Sequence, residues 1–190
     1  MICGIDEAGR GPLAGPVCAA AVILGDGFNR DILADSKKLS AAKREQARCL
    51  ICDSAFAWGV GWASHTEIDA INILQASLLA MKRAFEQMLK SAALPPENIS
   101  AIVDGLHVPD IHVPCTALVK ADAKVPEVMA ASILAKTARD QYMNEMALLY
   151  PQYGYEKHKG YPTKAHRELV LKYGPSPIQR MSFRVNLNGP

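Results

Sequence analysis

The chain has 190 residues and a mass of 20.6 kDa, with 49% hydrophobic and 21% charged residues; this is the make-up of one folded domain with its own core, and it excludes a disordered chain or two large domains. The formal net charge is only +2 but is unevenly spread, with 14 basic and 17 acidic side chains in residues 1–150 against 7 and 2 in residues 151–190. No apolar stretch is long and clean enough to span a bilayer, and no basic leader precedes an apolar core, so the expectation is a soluble, cytoplasmic protein with no membrane partner.

Taken in chain order, MICGID reads as a short apolar strand that stops at the acidic pair Asp6 and Glu7. GRGPLAGP follows as a loop, since neither a helix nor a strand tolerates that density of breakers. Val17 to Leu24 is a buried strand, DSKKLS a polar turn, and Ser40 the N-cap of a helix running to about Asp53. Phe56, Trp58, Val60 and Trp62 alternate with small residues as a period-2 strand. The spacing of Ile73, Leu74, Leu78, Met81, Phe85 and Leu89 predicts helix from Thr66 to about Leu94, divided at Asn72 and ended by Pro95-Pro96. Ile99 to Val103 is a second buried strand ending on an acid, Asp104, and Cys115 to Val119 a third that leads into Asp122. Pro126 opens a helix to about Tyr150, YGYEKHKGYP is a loop, and Thr163 to Tyr173 is a final helix before a short terminal element. Strands first clustered, then alternating with helices, predict an α/β layer fold with a mixed sheet. Residues 1–150 form its body and residues 151–190 a basic helical extension. That extension suits a polyanionic partner, and equally a solvated helix face.

Asp6, Glu7, Asp104 and Asp122 are the residues to which chemistry is assigned. Carboxylates at the ends of apolar strands lose hydration and repel one another, a costly arrangement unless a hard divalent cation such as Mg²⁺ or Mn²⁺ lies among them. Neighbours on a regular strand face opposite ways, so both Asp6 and Glu7 reach one site only if the strand ends near Asp6 and the chain bends there, as Gly9 allows. Asp140 is a fifth candidate, although its spacing also suits an ordinary pair with Lys136. Gly9, Gly11 and Gly15 do not fit a dinucleotide fingerprint; they read as a place where backbone N–H groups approach an anion, or as tight turns. Lys157, His158, Lys159, Lys164, His166 and Arg167 surround Tyr161, a basic and aromatic mixture suited to phosphates and a stacked sugar or base. No zinc-hydrolase, P-loop or nucleophile-elbow spacing is present. Five cysteines, an odd number in apolar contexts, argue against a disulfide scaffold. Cys49 and Cys52 form one C-x-x-C inside a helix-like stretch and read as helix cysteines rather than a zinc or redox site. Together these features point to metal-assisted cleavage of a nucleic acid.

From Ile2 to about Val185 the sequence resembles the ribonuclease HII family, on the motifs DEAGRGPLAGPV (Asp6 to Val17), DSKKLS (Asp35 to Ser40), IVDG (Ile102 to Gly105), KADAKVPEVMAASILAKTARD (Lys120 to Asp140) and HKGYPT (His158 to Thr163). The resemblance implies a ribonuclease H-like fold, a five-stranded mixed sheet flanked by helices with a small C-terminal helical extension. It implies two divalent ions, Mn²⁺ or Mg²⁺, at Asp6, Glu7, Asp104 and Asp122, with Asp140 near the second. The family's G-R-G loop falls on Gly9, Arg10 and Gly11 and its substrate-sensing tyrosine on Tyr161; Lys159 and Lys164 would meet phosphates. The implied substrates are RNA–DNA hybrids and DNA duplexes containing ribonucleotides, handled by a monomer. The chain begins directly at its first strand, which favours type HII over type HIII. Gln179 stands where many members have histidine before the arginine of an x-Ser-Phe segment. Two other readings remain beside this one: a DNA-cutting nuclease of the same superfamily, and a hybrid-binding module without catalysis.

Overall fold

In a computed structural model, residues 1–33, 40–93 and 95–185 are described. The polar turn expected at residues 35–39 and the helix end expected at Leu94 lie outside the described residues. The strands are β1 (Ile2–Ala8), β2 (Val17–Ile23), β3 (Ala57–Ala63), β4 (Ser100–Asp104) and β5 (Cys115–Leu118). They form one mixed sheet in the order β3-β2-β1-β4-β5, antiparallel through β3, β2 and β1 and parallel through β1, β4 and β5. The helices are α1 (Ala41–Ser54), α2 (His65–Ala92), α3 (Pro126–Leu149), the single turn α4 (Tyr155–His158) and α5 (Lys164–Tyr173). The fold class expected from the sequence is the one observed.

Alternation along the strands sorts the core into two layers. Cys3, Ile5, Ala19, Ala21, Ala101 and Val103 pack toward α2, while Cys18, Ala20 and Val22 pack toward α1 and α3. β2 is buried along its whole length because both faces are covered. Gly4 lets α3 sit directly on β1: a Cβ there would lie 2.1 Å from the backbone of Glu127. The start of α3 is thereby fixed against the strand that carries Asp6. A third cluster, with Met143, Tyr153, Tyr155, Val170 and Ile178, docks the C-terminal segment on the far half of α3.

Two local readings need correction. β1 does not stop at Asp6: Glu7 and Ala8 continue the ladder opposite Ala19 and Cys18 of β2, and the bend comes at Gly9, whose φ is +102°. Backbone pairing with an antiparallel neighbour outweighs the pressure to turn both acids to one side. The segment expected as a loop between α3 and α5 instead holds a 3-10 turn, Pro151–Tyr153, followed by α4.

Candidate active site

The register that pairs Ile5 of β1 with Val103 of β4 puts Asp6 and Asp104 next on adjacent parallel strands, pointing to the α3 side of the sheet. The third acid arrives through a turn. Lys120 takes a left-handed conformation (φ 59°), a 3-10 turn over Ala121–Ala123 follows, and the Ala121 N–H donates to Asp104 Oδ1 at 2.7 Å. One carboxylate oxygen from each of Asp6, Asp104 and Asp122 then lies within 4.8 Å of the others. Asp6 and Asp122 are buried. Burial pushes the Asp6 carboxyl well above its usual range, and the charges of Glu7 and then Asp104 push further in the same direction. Three acids this close satisfy hard-cation chemistry far better than they satisfy one another.

Glu7 does not belong to that trio. The pleat that continues through Asp6 turns it aside, and its carboxylate lies 3.5 Å from the Arg10 guanidinium. It remains close enough for Asp104 to raise its pKa, although burial is the larger cause. Glu7 instead lines a groove of about 450 Å³ with Gly9, Arg10, Gly11, Arg44, Ser132, Lys136 and Tyr161. The G-R-G segment and Tyr161, 150 residues apart in sequence, are therefore brought to one surface, with the Tyr161 ring 3.8 Å from where a Gly11 Cβ would be. Tyr161 is 39% exposed, and Lys136 and Arg139 approach its ring at 5.8 and 5.9 Å.

The remaining expected residues lie further out. Asp140 pairs with Lys136 at 2.7 Å and lines an adjacent groove with Arg44, Thr137 and Asn144. Lys159 Nζ donates to Asn144 Oδ1 at 2.7 Å, and Lys164 stands in solvent 3.9 Å from Glu168. His158 and His166 are not part of a basic surface. Both are buried and stacked on each other with centroids 4.3 Å apart; the environment that buries them keeps them neutral, with His166 held down to about 4 by burial first and the neighbouring His158 second. Cys49 and Cys52 lie on α1, as expected of helix cysteines.

Two residues were missed from sequence. Arg139 and Arg180 are buried beneath the loop from Gly9 to Pro16 and donate to its carbonyls. Nothing local announces Arg180, since an arginine in a basic C-terminal segment reads as a surface residue. The near-apolar run MAASILA just before Arg139 is the one hint that its face of α3 is buried. Gln179, at the position where the sequence departs from many relatives, pairs its backbone with Ala14 and is buried, with neither side-chain amide atom hydrogen-bonded among the described residues.

A mixed sheet in this order, with acids from β1, β4 and the turn before α3 meeting at one face, defines a nuclease-type ribonuclease H-like fold. A family model described as ribonuclease HII matches residues 3–186. The chain belongs to the ribonuclease HII family. It is 57% identical to ribonuclease HII of Treponema denticola over 97% of this chain and 98% of that one. Among solved structures it is similar to ribonuclease H2 of Pyrococcus horikoshii, with 28% identity, a TM-score of 0.75, and coverage of 97% and 94% of the two chains. Bst-RNase HIII, solved in complex with Mn²⁺, shares the fold at 17% identity and a TM-score of 0.76, over 97% of this chain and 67% of that one. Among the described residues no helix is long and apolar enough to cross a membrane.

Proposed function

We propose that the chain is an endoribonuclease that hydrolyses the RNA strand of RNA–DNA hybrids and cuts 5′ of ribonucleotides embedded in duplex DNA, serving ribonucleotide removal in replication and repair. The observation that carries this reading is the meeting of Asp6, Asp104 and Asp122 beside a groove that contains Gly9, Arg10, Gly11 and Tyr161. An all-oxygen donor set of partly buried carboxylates fits Mg²⁺ or Mn²⁺ and does not fit a softer metal. When bound, two such ions would supply an activated water and charge stabilisation at the leaving 3′ oxygen.

The chain's own residues do the rest. Asp6, Asp104 and Asp122, with Glu7 at the rim, would hold the cations in place. Asp140 tempers the charge of Lys136 at the second side of the site. The backbone of the Gly9-Arg10-Gly11 loop, exposed at Arg10 and Gly11, can meet a ribose 2′-hydroxyl, which both donates and accepts hydrogen bonds. Tyr161 packs on the neighbouring sugar, and residues 151–190, with Lys159 and Lys164, extend the contact along phosphates. The products are a 5′-phosphate and a 3′-hydroxyl.

The test is duplex DNA containing a single ribonucleotide, incubated with EDTA, Mg²⁺ or Mn²⁺, with the cut position mapped. Cleavage on the 5′ side of the ribonucleotide that requires the divalent ion is the expected result. Cutting of the all-DNA duplex at comparable rate would assign a DNA nuclease instead, and tight binding with no product would assign a binding module.

A further inference from the structure

Ser132 lies on α3 over Asp6, and two close approaches fix that register. A Cβ on Gly4 would lie 2.2 Å from the Val128 nitrogen and one on Gly9 would lie 2.1 Å from Arg139 Nε, so α3 runs along β1 in the same direction. Asp6 is two residues beyond Gly4, about 6.6 Å along a strand, a distance that an α-helix covers in about four residues. Counting that far from Val128 reaches Ser132. Ser132 also lines the groove that Glu7 and Tyr161 line, so its side chain stands between the acids and the groove.

The direction of its hydroxyl sets Ser132 apart. Ser77 and Thr137 turn theirs back onto the carbonyls of Ile73 and Ile133, one helical turn earlier, at 2.8 and 2.7 Å, a common arrangement for a hydroxyl inside a helix. Ser132 instead hydrogen-bonds the Asp6 carboxyl. An ionised carboxylate only accepts, so the hydroxyl is the donor. Asp6 Oδ1 also takes the Glu7 N–H at 2.7 Å. The carboxylate is thus held by one donor on the strand and one on the helix, and its remaining lone pairs are left for a cation shared with Asp104 and Asp122. A lysine or arginine in the place of Ser132 would neutralise Asp6 and compete with that cation, whereas a hydroxyl orients the carboxylate and leaves its charge for the metal.

We propose that Ser132 is a positioning residue for the divalent cation: its hydroxyl holds the Asp6 carboxylate in place beside Asp104 and Asp122, so that an incoming ion meets ligands already aligned. The inference rests on the cation site of the ribonuclease reading and deepens it. In the test, Mn²⁺ alone is titrated into the protein without nucleic acid, and the ion left free in solution is read by electron paramagnetic resonance. Ser132→Ala is expected to bind Mn²⁺ roughly 10- to 100-fold more weakly than the wild type. Ser132→Thr, which keeps a hydroxyl on the same carbon, recovers most of that loss. On a duplex with one ribonucleotide, the Mn²⁺ midpoint of cleavage shifts in Ser132→Ala by the same factor, and the effect lies in that midpoint rather than in the KM for the duplex.

Equal Mn²⁺ affinity in the wild type and Ser132→Ala would overturn the proposal, and so would a threonine variant as weak as the alanine one. A raised KM for the duplex with an unmoved Mn²⁺ midpoint would also overturn it, by making Ser132 a contact to the substrate. Alanine is the stronger helix former, and circular dichroism in EDTA checks that α3 is intact. If Ser132→Ala fails to fold, Ser132→Cys keeps the shape with a weaker donor and is read in the same way. A wild type that binds Mn²⁺ but cuts nothing sinks the ribonuclease reading while the Mn²⁺ titration still decides the role of Ser132. A wild type that binds no Mn²⁺ overturns both.

Discussion

At the scale of single residues, the acids at the strand ends trade stability for chemistry. Asp6 is buried beside Asp104 and Asp122, and its charged form is disfavoured by lost hydration and by its neighbours' charges. Asp6→Asn removes one of those charges while keeping the shape. In EDTA the variant is expected to melt at or above the wild-type temperature, and with divalent ions its turnover on a ribonucleotide-containing duplex falls about 10³-fold, equivalent to about 4 kcal/mol of barrier. Ligand linkage gives the second readout: Mn²⁺ at a hundred times its Kd should stabilise the wild type by about 2.7 kcal/mol, or roughly 5–10 °C in melting temperature, and should leave Asp6→Asn nearly unmoved. An equal Mn²⁺ response in both proteins would remove Asp6 from the cation site. These acids were legible because each comes within a few residues of an apolar run, Asp6 and Asp104 directly and Asp122 after Lys120 and Ala121, so the sequence itself shows charges placed where hydration is scarce.

At the scale of elements, most boundaries were legible because they are set by neighbours in sequence. Ser40, Ser64 and Thr163 cap α1, α2 and α5 through their side-chain oxygens, and Ser64 with Glu67 completes a capping box. Asn72 breaks α2 as its position suggested: its φ is 67°, and its side-chain oxygen accepts from the N–H groups of Leu74 and Gln75, capping the longer second segment. Asn72→Ala loses that cap and leaves a Cβ in the left-handed region without a compensating bond. The expected cost is about 1–2 kcal/mol, read as a lower urea midpoint at unchanged slope; Asn72→Gly, which keeps the conformation accessible, should cost less. A variant as stable as the wild type would show that the break carries no capping energy. The end of β1 was not legible, because Glu7 and Ala8 are held in the ladder by Ala19 and Cys18 of β2, and no residue near Glu7 reports that register.

At the scale of the whole molecule, the groove is assembled from both ends of the chain, and long-range contacts of this kind leave no local trace in sequence. The opening strand supplies Asp6 and the G-R-G loop, while the C-terminal segment supplies Tyr161 and Arg180. That segment is secured to α2 through Asp69, which accepts from the backbone N–H groups of Met181 and Ser182, and internally by the stacked histidines. His158 Nε2–H donates to Tyr153 O while its Nδ1 accepts from the Gly160 N–H, and His166 Nδ1–H donates to Tyr161 O, so both rings have places as neutral groups. With the folded pKa of His166 near 4 and an ordinary value of 6.5 in the unfolded chain, the unfolded form takes up the proton first as pH falls. The stabilising contribution of neutral His166 is complete above about pH 6.5 and is lost progressively toward pH 4. His166→Gln should melt lower than the wild type at pH 7 and show a shallower loss between pH 6.5 and 4.5, because one of the two titrating rings is gone. Cleavage should fall together with stability over the same window, since protonation loosens the segment that carries Tyr161 and Arg180. Parallel melting curves for the two proteins across that range would show that His166 takes up its proton equally readily in the folded and unfolded chains, and the docking of the C-terminal segment would then not depend on its neutrality.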